Sequence, residues 1–244
     1  VDVTTALLRD HIHHTGLHGQ SKHMGIYHAL QRLAEQGEDV PQFGGPWFNS
    51  TMQEDLICVN ITRAAANAAD RAQLTQAECR MREDAYKLVA LLRKLYPEFA
   101  KASIAEIAAQ GGVRETYHIR GLYTLSGADI LGGAPCADGV AFCSHPVDIH
   151  SAQDNTQTAQ YFDTPCPVPY RVMVAAGFDN LIAAGRCVSC VDEAYASMRV
   201  QGTCMAIGEA AGVAAAMRRE TGCAVTAVNT DDLRARLQKQ GAIV

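Results

Sequence analysis

Apolar and polar positions follow two periods along this chain, and the period changes at glycines and prolines. Ile26, Leu30 and Leu33 recur at helical spacing within residues 22–36, and Gly37 supplies the stop. "PQFGGPW", Pro41 to Trp47, reads as a loop, and "EDLICVNI" as a short buried strand. Thr75 and Glu78 have the spacing of a capping box, and Tyr86, Val89, Leu92 and Leu95 then mark a predicted helix face until Pro97 ends it. Ser103 and Glu106 suggest a second cap on a short helix, broken by Gly111-Gly112. "VRETYHIRGLYTL" predicts one or two strands, Ser126 and Asp129 a brief helix, and "GVAFCSHPVDIH" an extended segment that runs into a loop reaching Pro169.

The last third changes character. "YRVMVA" and "NLIAA" read as short strands. From about Thr203 to Arg219 nearly every residue is Ala, Gly, Met, Ile or Val. Gly208 and Gly212 share one face of that helix, where small residues let another backbone come close. Asn229 to Gln240 predicts a final amphipathic helix carrying Leu233 and Leu237.

Composition narrows the classes. The chain has 244 residues, 48% of them hydrophobic, enough for one large or two small cores. With 21 basic and 26 acidic residues and a net charge of −5, there is no basic excess for nucleic acid. No apolar run approaches the ~18 residues of a membrane span. The start, "VDVTTALLRD", has neither Met nor a basic-then-apolar leader, so the chain is expected to be a portion of a longer protein. Nine scattered cysteines, an odd number, suit reduced thiols in a cytoplasm better than a disulfide framework.

Three patterns carry candidate chemistry. Cys187 and Cys190 form a CxxC, but a zinc ribbon needs a second such pair and none exists, which favours ordinary thiols. His11, His13, His14, His18, His23 and His28 cluster without the Glu or Cys of a known metal pattern, which favours a polar segment. No metal site is expected. The third pattern is the order strand, Gly185-Arg186, small-residue helix. A strand ending in Gly admits a planar ligand, and a helix N-terminus offers free amides and partial positive charge. Equally, the helix could be a core element with small residues for packing. There is no G-x-G-x-x-G and no Walker sequence.

Taken together, these segments resemble a family. "DNLIAAGRCVSC" through "VDEAYASMRVQGTCMAIGEAAGVAAAM" resembles the C-terminal signature of bacterial FAD-dependent oxidoreductases distantly related to fumarate reductase flavoproteins. "DRAQLTQAECRMREDAYKLVALLRKLYPEF", "GVRETYHIRGLYTLSGADIL", "HPVDIH" and "VPYRVMV" resemble its upstream motifs in the same order, covering most of residues 60–241. One run departs: Val191-Asp192-Glu193-Ala194 stands where the family usually has Thr-His-Glu-Ala.

The resemblance implies a mixed α/β (α+β) fold. It would comprise a substrate- or cap-side region, 1–170, and the C-terminal strand–helix part of an FAD-binding domain, 171–244, without the N-terminal dinucleotide-binding unit. It implies FAD as cofactor, a small-molecule substrate, and an N-terminal FAD-binding half on the same gene product or a separate chain. Gly185 and Arg186 would flank the ribityl or pyrophosphate region, and amides near Thr203, Cys204, Met205 and Ala206 would face the pyrimidine edge of the flavin. His150, Tyr170 and Arg171 are the candidates for catalysis, and Arg114, His118 and Arg199 for substrate binding, since arginine forks suit carboxylates and His or Tyr can exchange a proton. A non-catalytic interaction module that lacks the flavin half is the competing reading.

Overall fold

The structure, a computed structural model, describes residues 5–9, 20–22, 24–53, 55–133, 136–150 and 157–244. It is a mixed α and β fold whose ladders are antiparallel, with six α-helices among the described residues. The chain divides into two compact units, Val1–Thr116 with Ser151–Asn155, and Tyr117–His150 with Thr156–Val244. No helix among the described residues is long and apolar enough to cross a membrane.

The first unit is a five-stranded sheet with two helices. Its strands are β1 (Thr5–Arg9), β2 (Gln20–Lys22), β3 (Phe43–Ser50), β4 (Leu56–Thr62) and β5 (Ser103–Ile107), in the order β2-β3-β4-β1-β5. Ile57, Val59 and Ile61 alternate inward along β4, as a strand with one buried face requires. They meet Ile26 and Leu30 from helix α1 (Met24–Glu35) and Leu88 and Leu92 from helix α2 (Arg71–Leu95). The expected loop at 41–47 is instead mostly strand. Its two glycines and proline act within β3, where the register with β4 shifts between Phe43 and Trp47. A Cβ on Gly44 would fall 1.9 Å from Arg63 Nε, and Gly45 has φ +74°, so neither position accepts an ordinary side chain.

Helix α2 begins earlier than its capping-box spacing suggests. Asp70 is the N-cap, its Oδ1 accepting from Ala72 N at 2.8 Å and Gln73 N at 3.2 Å. Thr75 lies inside, donating to Arg71 O, and Glu78 accepts from Gly111 N. The buried stripe is Met81, Ala85, Leu88 and Leu92, while Tyr86 faces solvent. Ser103 and Glu106 lie on β5 rather than opening a helix, because this segment pairs with β1, a contact nearly a hundred residues away in sequence.

The second unit holds two small ladders, β6 (Gly139–Cys143) with β9 (Cys166–Pro169), and β7 (Val147–His150) with β8 (Gln157–Gln160). Four helices surround them: α3 (Gly127–Gly132), α4 (Asp192–Met198), α5 (Gln201–Thr221) and α6 (Thr230–Lys239). The capping box of Ser126 and Asp129 forms as the sequence suggests, and Asn229 caps α6 through Asp231 N and Asp232 N. Ile207, Ala210, Ala214 and Met217 of α5 enter a core with Val140, Val168, Met173, Met198, Leu233 and Leu237. Gly208 and Gly212 lie on the opposite, exposed face, where an added Cβ would meet nothing within 4 Å. They therefore do not serve a close helix approach among the described residues.

The expected strands "VRETYHIRGLYTL", "YRVMVA" and "NLIAA" are not ladders. They are extended segments laced by single bridges, Gly121 with Ala175, Leu125 with Cys190, and Val174 with Ile182. Tyr170–Val172 is a 3-10 turn. Backbone bonds such as Ile119 N to Cys187 O (2.8 Å), Ser189 N to Val172 O (3.0 Å) and Ala183 N to Met173 O (2.8 Å) hold these segments together.

Candidate functional site

The second unit gathers most of the candidate residues, and one carboxylate organises the tightest group. On β7, Asp148 and His150 are two apart and so share one side of the strand. Arg199 closes the C-terminal end of α4, which packs against β7. His150 Nε2 lies 2.8 Å from Asp148 Oδ2, and because a carboxylate only accepts, the imidazole donates. Arg199 Nη2 donates to the same Oδ2 at 3.0 Å and to the Asp148 carbonyl at 3.1 Å. The three side chains are 8%, 15% and 14% exposed, so these charges meet largely out of water, where hydrogen-bonded pairing is required. His150 and Arg199 were separate candidates in the sequence. Asp148 was missed, although its position two before His150 in "HPVDIH" was a readable signal.

A second group fixes Arg171. Its Nε donates to Asp138 Oδ2 at 2.9 Å and its Nη2 to Oδ1 at 3.2 Å, a bidentate pair, and its guanidinium carbon sits 5.2 Å from the centre of the Tyr123 ring. Burial works against the charge of Asp138, but donors from Arg171 and Cys136 outweigh it and hold the carboxyl below its usual range. Tyr123 donates in turn to Asp129 Oδ2 at 2.8 Å, and that bond, with burial, pushes the phenol up. This geometry makes Arg171 a clamp between elements.

Tyr170 is buried, at 3% exposure, and its hydroxyl donates to Val225 O at 3.0 Å. Burial, with a smaller push from Cys223, raises its pKa to about 12, so this phenol keeps its proton through the neutral range. His118 Nδ1 lies 2.8 Å from Val188 O and therefore donates, with the ring edge-on to Tyr195 at 5.1 Å between centroids. Arg114 lies in the first unit and is half-buried.

The segment expected to meet the cofactor is built from a turn and a helix end. Gly185 has φ +84°, so the chain reverses there through a conformation that favours glycine. Arg186 follows, exposed. Helix α5 starts two residues before Thr203, and Cys204 N is already bonded to Val200 O. The amides left without an intrahelical acceptor are thus those of Gln201, Gly202 and Thr203, ahead of Met205 and Ala206. Val200 makes no side-chain cap, and the first turn contains no acidic residue. Burial holds the Cys204 thiol above its usual range, against a smaller lowering by the Arg186 guanidinium. Such an end suits an anionic or electron-rich group.

Cys187 is exposed, Cys190 is buried, and all nine cysteines are free thiols. Among the described residues no group of three His, Cys, Asp or Glu side chains could hold a metal ion. His11, His13, His14, His18 and His23 lie outside the described residues, and His28 contacts Gln31 at 3.3 Å. No curated protein and no solved structure matches the chain. The family model of the FAD dependent oxidoreductases matches residues 8–237, nearly the whole sequence, and with that match the chain belongs to the FAD dependent oxidoreductase family.

Proposed function

We propose that the protein moves a hydride between a small-molecule substrate and flavin, with His150 exchanging a proton and Arg199 binding the substrate. The observation that carries this reading is the half-buried, hydrogen-bonded group of Asp148, His150 and Arg199 in a member of an FAD family. A flavin, when bound, supplies the two-electron redox chemistry, accepting or giving a hydride at N5. The chain's own contribution is binding, orientation and proton management. Arg199, held through Nη2, presents a planar fork that orients an oxygen of the substrate. His150, held by Asp148, exchanges a proton with the substrate. Tyr170 is a weaker candidate because its hydroxyl is committed to Val225 O, and Arg171 because its fork is committed to Asp138.

The residues at the start of α5 fit the pyrimidine edge of a flavin. Three free amides, no acidic side chain and a nearby Arg186 favour the negative charge that this edge acquires on reduction. Gly185 and Arg186 would flank the ribityl or pyrophosphate region. The 244 residues contain no G-x-G-x-x-G, so we place the pyrophosphate loop on a partner, an N-terminal FAD-binding half of the same gene product or of a separate chain. In this reading residues 1–170 serve the substrate side and 171–244 the cofactor side, in a cytoplasm that keeps the thiols reduced. A relation to fumarate reductase flavoproteins and a bacterial source belong to the same reading.

The test is made on the protein reconstituted with FAD and, if required, with that partner. Absorbance near ~450 nm reports bound flavin, and its bleaching is followed against a panel of small alcohols, amines and carboxylic acids. His150→Gln should lower turnover by roughly a hundredfold or more, at unchanged flavin content. Full turnover in His150→Gln would remove the histidine from the reaction. Failure to bind flavin in any reconstitution would favour the non-catalytic module.

A further inference from the structure

Asp148 is where the geometry of the site converges. One oxygen, Oδ2, receives the His150 imidazole at 2.8 Å and the Arg199 guanidinium at 3.0 Å. The same Arg199 nitrogen also donates to the Asp148 carbonyl, so the arginine grips side chain and backbone of one residue together. That grip fixes where the carboxylate points, and the carboxylate fixes the imidazole. An imidazole turned to the opposite tautomer would set a nitrogen lone pair against a carboxylate oxygen 2.8 Å away, with little water to soften the repulsion.

We infer that Asp148 is the positioning residue of the site: it holds the proton of His150 on Nε2 and sets the Arg199 guanidinium beside it. The inference rests on the reading of His150 as the proton carrier, and the two are separable. Asp148 is thus at once the acceptor of the imidazole and the counter-charge of the arginine. A substitution of Asp148 therefore changes two neighbours at once: the imidazole loses its acceptor and the arginine its counter-charge.

The experiment uses the full chain labelled with 15N. Long-range proton–nitrogen spectra, at a pH where the imidazole is neutral, distinguish its two tautomers, and His150 is assigned by the signals lost in His150→Gln. The wild type should show His150 with its proton on Nε2. Asp148→Ala, which removes the acceptor where an asparagine oxygen would still accept from both donors, should shift the population toward Nδ1–H and lower turnover of the reconstituted protein at least about tenfold, part of the 10²–10⁴ that a positioned acid or base contributes. A wild-type spectrum with the proton on Nδ1 overturns the inference even if the variant fails to fold. So does an Asp148→Ala spectrum, from a folded variant, that keeps the proton wholly on Nε2. If the tautomer depends on Asp148 but His150→Gln turns over normally, the positioning stands and the proton-carrier reading fails.

Discussion

Replacing Tyr170 by Phe distinguishes a hydroxyl that holds the fold from one that does chemistry. The side chain is buried in the core of the second unit, and its hydroxyl donates to Val225 O at 3.0 Å. Removing one oxygen leaves the ring in place and opens almost no cavity. What is lost is one hydrogen bond, and Val225, itself 2% exposed, keeps a carbonyl with a missing donor. A buried acceptor left without its partner costs about 1–3 kcal/mol. For a chain of this length that is a fall of roughly 2–12 °C in Tm, at about 2–4 °C per kcal/mol. The sign of the pH effect follows from the raised pKa. The neutral phenol stabilises the fold fully below its ordinary value of 10.0, and this contribution fades as pH rises toward about 12. Wild type should therefore lose stability over that alkaline window more steeply than Tyr170→Phe. Thermal unfolding followed by circular dichroism from pH 7 to 12 measures both effects, and turnover at neutral pH should stay within about twofold of wild type. A roughly hundredfold loss of kcat with an unchanged Tm would refute the argument and return Tyr170 to the reaction.

Two further outcomes are expected. Asp138 has a lowered pKa, so its stabilising effect is present above the ordinary carboxylate range and is lost as pH falls through the folded value; Asp138→Asn should be less stable than wild type at pH 7 and show a flatter decline in Tm below about pH 4. Alkylation of the native protein should reach the exposed Cys79 and Cys187 first, whereas Cys143 and Cys166, buried and with pKa values raised by desolvation (to about 12 for Cys166), should react only on unfolding, as peptide mass mapping would show.

What the sequence disclosed depended on the range of the forces involved. Asn229 before Leu233, and Ser126 before Asp129, were readable because a cap is settled within one helical turn. Ser103 and Glu106 misled for the opposite reason: their local cap chemistry lost to pairing with β1. The glycines at 44 and 45 read as loop because their use, room for Arg63 and a register shift, is visible only in three dimensions. The short apolar runs near 170–185 have strand composition, yet single bridges are all they form among the described residues. At the site, His150 and Arg199 were chosen for what their side chains can do, and that choice needed no structure. That they meet across 49 residues on one oxygen of Asp148 is a tertiary fact.

The exposed glycines of α5 leave room for thermal engineering. An interior helix glycine is less favourable than alanine by about 0.5–1 kcal/mol, and a methyl group at position 208 or 212 would enter open space. Both positions lie past the first turn, clear of the amides of Gln201, Gly202 and Thr203, and on the face away from Ile207 and Ala210. Alanine at each should stiffen the longest helix of the second unit without touching the group of Asp148, His150 and Arg199. Where a partner covers that face in the working enzyme, the same methyl groups would press on it instead. The two residues thus serve as an inexpensive gauge of whether the helix works bare or enclosed.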